Sequence, residues 1–301
     1  MRLSYRFLIC ILLISNSATC TKFDLFADFL CWHATETVDW SRTDNVNGSN
    51  EQITYNTISF NWDPGFRVGM GCYGEWDSQL YYTHFFTKTS AFTSGQKVVS
   101  AFLGSAQASD TYTAGQVDFS INFNMFDWEL GRNFFPSKAL LLRPFLAVKG
   151  GWINQAIHTN WTGTKNAIEN VQNNFSGAGP CFGINSKWFL GSMDSCLFSI
   201  VCDFSSAYMW GNWTIKDAFV DSASNIVNVE VGPRDFGAFV LQGLLGVGMD
   251  CCCFQKAHLF MKLSYEIGNW FDQYQVFDDG TGTHQNNLIL QGITYRLCLD
   301  F

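Results

Sequence analysis

Three consecutive cysteines, Cys251-Cys252-Cys253, stand just ahead of His258. Thiolates and an imidazole could bind zinc, but adjacent cysteines lack the usual chelate spacing, so no metal site is assigned. Disulfide exchange is the chemistry this triplet offers, either to other thiols or as a reduced cluster. The five histidines, His33, His84, His158, His258 and His284, are scattered, and no HExxH, GxSxG or Walker pattern occurs. Asp272, Asp278, Asp279 and His284 share one polar stretch, a weak basis for acid–base chemistry. No catalytic residue and no cofactor is predicted, and the chain is not read as an enzyme.

The second kind of chemistry is collective. Asp63, Arg67, Asp118, Arg143, Lys149, Lys187, Asp203, Lys262, Glu266, Arg296 and Asp300 all fall on the polar parity of segments whose other parity is apolar. Facing charges of both signs could line a passage and filter solutes by size and charge. Each one could equally be a paired charge that holds the wall in shape.

The elements that must position these residues alternate with period two. Val117, Phe119, Ile121, Phe123 and Met125 alternate with Asp118, Ser120, Asn122 and Asn124. The apolar phase then moves by one, to Phe126, Trp128 and Leu130, which predicts a β-bulge. Similar strands run through Leu140–Val148, Phe182–Trp188, Phe198–Trp210 and Leu259–Ile267. From Ile53 to Cys72, Ile58, Phe60, Trp62, Phe66, Val68 and Met70 keep one parity, which predicts one long strand kinked at Pro64. Segments 35–52, 89–114, 159–174, 212–231 and 273–286 read as long polar loops. Those near 75–76, 133–138, 191–194 and 251–255 read as short turns.

Residues 1–20 carry Arg2 and Arg6, the apolar stretch Phe7–Ile14 and a small-residue end, the pattern of a signal peptide. Export permits disulfides among the eleven cysteines. The net charge of −8, which becomes −10 without Arg2 and Arg6, excludes a general nucleic-acid binder. Charged residues are 15% and aromatic residues 17%, so the chain needs either a large core or a non-aqueous solvent. An exported, aromatic-rich chain of amphipathic strands with alternating long loops and short turns predicts one domain over 21–301. That domain is a transmembrane antiparallel up-and-down β-barrel of about ten strands, between eight and fourteen. Trp32, Trp128, Trp188, Trp210 and Trp270 then suit interfacial girdles.

The chain ends on Tyr295, Leu297, Leu299 and Phe301 at alternating positions. Such a strand could close the barrel against the first one, and it resembles the signal that outer-membrane assembly machinery reads. Ala27-Asp28-Phe29-Leu30-Cys31-Trp32 and Phe60-Asn61-Trp62-Asp63-Pro64-Gly65-Phe66-Arg67-Val68-Gly69 resemble blocks of the major-outer-membrane-protein-like family of chlamydia-related bacteria. The related pore-forming outer-membrane family of Legionella shares the first of these motifs. Leu142-Arg143-Pro144-Phe145, Gly177-Ala178-Gly179-Pro180, Tyr265-Glu266-Ile267 and Leu290-Gln291-Gly292-Ile293-Thr294 also look like family positions. The resemblance covers most of residues 24–301, and the cysteine triplet departs from it. It implies an outer-membrane barrel with porin activity toward small hydrophilic solutes or ions. The rival reading is a structural or adhesive surface barrel without an open pore, cross-linked to other envelope proteins through Cys251, Cys252 or Cys253. Expected partners are outer-membrane lipid, the barrel assembly machinery and a second copy of the chain.

Overall fold

In a computed structural model, residues 22–36, 38–108, 111–193, 196–254, 257–275 and 287–301 are described. Of 106–108, 231–236, 252–254 and 257, the backbone alone is described. The signal-peptide reading, as well as Asp278, Asp279 and His284, lies outside the described residues.

Ten strands close into an antiparallel barrel: β1 (Lys22–Thr35), β4 (Trp62–Tyr73), β5 (Asp77–Ser100), β6 (Tyr112–Gly131), β8 (Leu140–Thr162), β9 (Ala167–Met193), β10 (Cys196–Asp221), β11 (Ile226–Phe254), β12 (Ala257–Trp270) and β13 (Leu288–Asp300). Pairing of β5 with β6 and of β1 with β13 completes the ring, as a membrane barrel requires, because no edge is left unpaired. The start of β1 and the residue after β13 meet at Phe23 and Phe301, which exchange backbone hydrogen bonds. This meeting point and the short turns mark the periplasmic side. The hairpin of β2 (Asp39–Asn47) and β3 (Asn50–Thr57) extends β5 at the other end, and β7 (Phe134–Ser137) pairs with β8.

The changeover in β6 is not a bulge. From Ala114 to Gly131 its ladder with β8 is continuous. The odd residues face inward throughout: Val117, Phe119, Ile121, Phe123 and Met125 are buried, and Asp127 and Glu129 continue the same face. The surroundings change instead. Below Met125 the outward residues Phe126, Trp128 and Leu130 face lipid and the interior is charged. Above it, the outward residues Asn122, Ser120 and Asp118 are polar, and the interior is apolar. β8 changes after Trp152, where Asn154 follows on the outer face, and β10 changes after Trp210, where Asn212 follows. One cross-strand row, Tyr82–Phe126–Gly150–Ala178–Trp210, marks the upper edge of the lipid band.

Four of the expected long loops are therefore mostly strand, and 35–52 is one of them, taken up by β2 and the start of β3. Residues 89–100, 159–162, 167–174, 212–221 and 226–231 belong to β5, β8, β9, β10 and β11, and β8–β9 and β10–β11 are joined by tight turns. Their Asn, Thr and Ser residues face water from strands that have risen above the membrane. The Ile53–Cys72 strand is also divided: β3 ends at Thr57 and β4 starts at Trp62. Pro64 lies within β4 without breaking it, while Ile58 and Phe60 turn into the interior.

Trp128, Trp188 and Trp210 lie on the outer face, as girdle residues should. Trp32 and Trp270 are buried inside. Above the membrane the strands enclose a true protein core, which takes up these large side chains.

Candidate functional site

The interior has two storeys. The lower one, within the lipid band, contains a cavity of about 400 Å³ whose wall includes Arg67, Arg143, Lys149, Lys187, Asp203, Lys262, Glu266 and Arg296. With Asp300, nine of the eleven charges of the polar parity therefore come together. Asp63 shares the inward parity but binds the wall, where Thr87 Oγ1 donates to its Oδ2 at 2.5 Å. Asp118 does not line the cavity. It lies on the outer face above the membrane, bonded to Ser90 and 3.8 Å from Lys88. Its parity was judged by its apolar neighbours, which in this part of β6 point inward.

Strand register produces the charge pattern. Asp28 is the direct ladder partner of Arg67 on one side and of Arg296 on the other. Arg67 Nη1 lies 3.1 Å from Asp28 Oδ2, and Arg296 Nε lies 2.6 Å from Asp28 Oδ1. Arg67 also donates to Glu266 Oε1 at 2.8 Å and to Thr83 Oγ1 at 2.9 Å. Lys149 pairs with its ladder partner Asp127 at 2.5 Å. Arg143 pairs with Glu129 at 2.8 Å and with Asp77 at 3.5 Å. Lys187 reaches Asp250 at 2.6 Å, and Lys262 reaches Asp203 at 3.5 Å.

Opposed acidic and basic rows are thus replaced by neighbouring pairs. A buried charge needs a partner within contact distance, and adjacent strands supply it more closely than the far wall. Asp28, Asp77, Asp127, Glu129 and Asp250 escaped selection as site residues. Their signal was present, because Asp28 alternates with outward Ala27 and Phe29, and Asp127 and Glu129 alternate with Phe126 and Trp128.

The upper storey is an apolar cap. Trp161 stacks on Trp40 at 5.5 Å and on Tyr112 at 5.3 Å; Phe175 meets Trp213 at 4.3 Å, and Phe123 meets Trp270 at 5.4 Å. Gly177 and Gly211, paired across β9 and β10, leave room for the Phe175 ring. A Cβ at Gly177 would lie 2.6 Å from Phe175 Cζ, so the ring can lie flat against the wall only over glycine. The short helix α1 (Leu103–Ala108) sits in this end, with Phe102 buried beside it.

A polar chain crosses the cap. Gln155 Nε2 donates to both carboxylate oxygens of Glu36, at 2.8 and 2.7 Å. Asn173 donates to Gln155 Oε1 and, at 3.1 Å, to the Gln273 carbonyl. Burial pushes Glu36, in the link between β1 and β2, up to about 8. Glu169, also above the band, is pushed to about 8 by burial and by neighbouring Asp217. These two carboxylates seat α1: the Ser105 N–H donates to Glu169 at 2.7 Å and the Gly104 N–H to Asp217 at 2.8 Å.

Tyr295, Leu297, Leu299 and Phe301 form an exposed apolar row on the outer face of β13. Cys251 is bonded to Cys196 across β10 and β11, so it is taken up within the chain and not by another envelope protein. The side chains of Cys252 and Cys253 lie outside the described residues. Cys31, Cys181, Cys202 and Cys298 are free thiols.

Among solved structures, the chain is similar to the outer membrane protease OmpT from Escherichia coli (9% identity, 95% of this chain and 98% of that one, TM-score 0.43). It is also similar to the Pseudomonas putida toluene transporter TodX (8% identity, 95% and 90%, TM-score 0.31) and the translocator domain of the autotransporter NalP from Neisseria meningitidis (9% identity, 99% and 95%, TM-score 0.36). No curated protein matches the chain. The family model described as the Legionella pneumophila major outer membrane protein precursor matches residues 16–301. With its closed barrel and lipid-facing band, the chain belongs to that outer-membrane protein family.

Proposed function

We propose that the protein is a porin-like channel for small hydrophilic solutes or ions, gated at the cell surface. The observation that carries this reading is the charged cavity within the membrane band, beneath an apolar cap packed as one cluster. A barrel of about eight strands is filled by its own side chains, so ten leave a narrow path at most. Passage therefore requires the cap to shift, with α1 and the β2–β3 hairpin as its movable parts. The ion pairs below would select by size and by local charge, and no chemical step is assigned to them. The assembly machinery is the expected reader of the Tyr295–Phe301 row, and outer-membrane lipid is the expected solvent of the band.

The packed cap also supports a second reading, a surface barrel that never opens. Single-channel recording of the refolded chain separates the two, after heat-modifiable gel mobility has verified folding. Discrete conductance steps whose frequency rises when α1 is deleted support the gated channel. A folded barrel that stays silent with and without α1 supports the surface barrel.

A further inference from the structure

Glu169 on β9 and Asp217 on β10 hold the backbone of α1, and they do so as two carboxylates in contact. Glu169 is the ladder partner of Phe219, so Asp217 is its diagonal neighbour on the inward face. The two side chains bond to each other. Glu169 Oε1 accepts the Ser105 N–H and Asp217 Oδ2 the Gly104 N–H. Ser100 Oγ donates to Glu169 Oε2 at 3.0 Å and the Trp161 indole N–H at 3.4 Å. A Cβ at Gly104 would lie 2.8 Å from Asp217 Oδ1 and 2.9 Å from Glu169 Oε1, so both oxygens converge on one point of α1.

Two ionised carboxylates are not stable together in this place. Both residues are buried, and close like charges away from water leave one of the pair protonated. Asp217 Oδ1 receives no hydrogen bond from any amide, hydroxyl or amine among the described residues. A carboxylic proton on Glu169 supplies that bond. No arginine or lysine among the described residues pairs with either group. β5 contributes Ser100, β8 contributes Trp161, and β11 places Val229 opposite Asp217. The nearby lysines of β10 and of the turn before β9 are committed elsewhere, Lys216 to Glu230 at 3.1 Å and Lys165 to Asp221 at 3.5 Å.

We propose that one proton shared by Glu169 and Asp217 latches α1, and that its loss releases this part of the cap. As regulation of a channel, this rests on the gated reading above; the latch itself does not need it. On release the Glu169 O–H bond breaks, its electron pair stays on the carboxylate and the proton passes to water or hydroxide. Two adjoining anions then repel each other beneath α1. Burial and Asp217 raise Glu169 to about 8, so the latch is closed at neutral pH and opens as the pH rises through that value.

The test is hydrogen–deuterium exchange of the folded, detergent-solubilised barrel, read on the α1 peptide by mass spectrometry below and above pH 8. Expressing the rates as protection factors removes the intrinsic pH dependence of exchange. We expect protection of the α1 amides to fall about tenfold or more in the wild type as the latch opens. Asp217→Asn should stay protected on both sides of pH 8, because its amide N–H donates to Glu169 and its carbonyl still accepts the Gly104 N–H. Asp217→Ala should lack protection on both sides, with heat-modifiable mobility verifying that each variant is folded. The proposal is overturned if wild-type protection does not change with pH, or if Asp217→Asn loses protection as the wild type does. Single-channel recording on the same samples tests the reading beneath it: a latch that opens in a barrel that stays silent removes the channel and leaves the latch standing.

Discussion

Met125 and Asp127 are successive inward residues of one unbroken strand, yet Met125 packs into an apolar core while Asp127 lies 2.5 Å from Lys149. Between them the barrel passes from water to lipid. Outside water requires an apolar interior, as in any soluble β-protein. Outside lipid leaves the interior as the place for charge.

The height of this changeover is testable from outside. Leu146 is 71% exposed within the band, and Asn154 lies on the same face of β8 above it. Leu146→Arg should cost about 2–4 kcal/mol of stability in lipid, while Asn154→Arg should cost close to nothing. Unfolding titrations in phospholipid vesicles measure both. Equal costs would mean that the band has been placed wrongly.

The Asp127–Lys149 pair should behave as a unit. Lys149→Met alone leaves a buried carboxylate unpaired and should cost about 3–5 kcal/mol. Adding Asp127→Leu should recover most of that loss, because neither group then remains charged in the wall. A double-mutant cycle on urea unfolding gives the coupling directly.

The aromatic cap should be held by its central stack. Trp161 is 1% exposed, between Trp40 and Tyr112. Trp161→Ala removes a large buried ring and should cost about 3–5 kcal/mol. Protease sensitivity should rise at the cell-surface end while heat-modifiable mobility, which reports the membrane band, is retained.

Stability should fall as the pH rises from about 4.5 to about 8. Glu36 and Glu169 are both raised to about 8 by burial, so the folded state keeps protons that the unfolded chain gives up above its ordinary range near 4.5. Below that range both states are protonated and no slope arises. Between it and about pH 8 folding stability declines, and above pH 8 it levels off. Glu36→Gln should remove one part of this slope and Glu36→Gln with Glu169→Gln a second part, read as urea midpoints against pH.

Period-two alternation and the terminal Phe301 strand made the barrel, its size class and its closure legible in the sequence. Residue order alone also selected most of the cavity wall, because Arg67, Arg143, Lys149, Lys262, Glu266 and Arg296 alternate with residues that face lipid. It could not place Asp118, since parity says which residues share a face but not which solvent that face meets. It also read 35–52, 89–114, 159–174 and 212–231 as loops, because strands wet on the outside carry the same Asn, Thr and Ser as loops do. Tertiary structure decided these points. Only the height of each residue relative to the lipid band tells whether its apolar face points outward or into a core. Pairing followed the same logic: the register that sets Asp28 between Arg67 and Arg296, and Cys196 opposite Cys251, depends on which strands become neighbours. Local sequence carries no record of that choice.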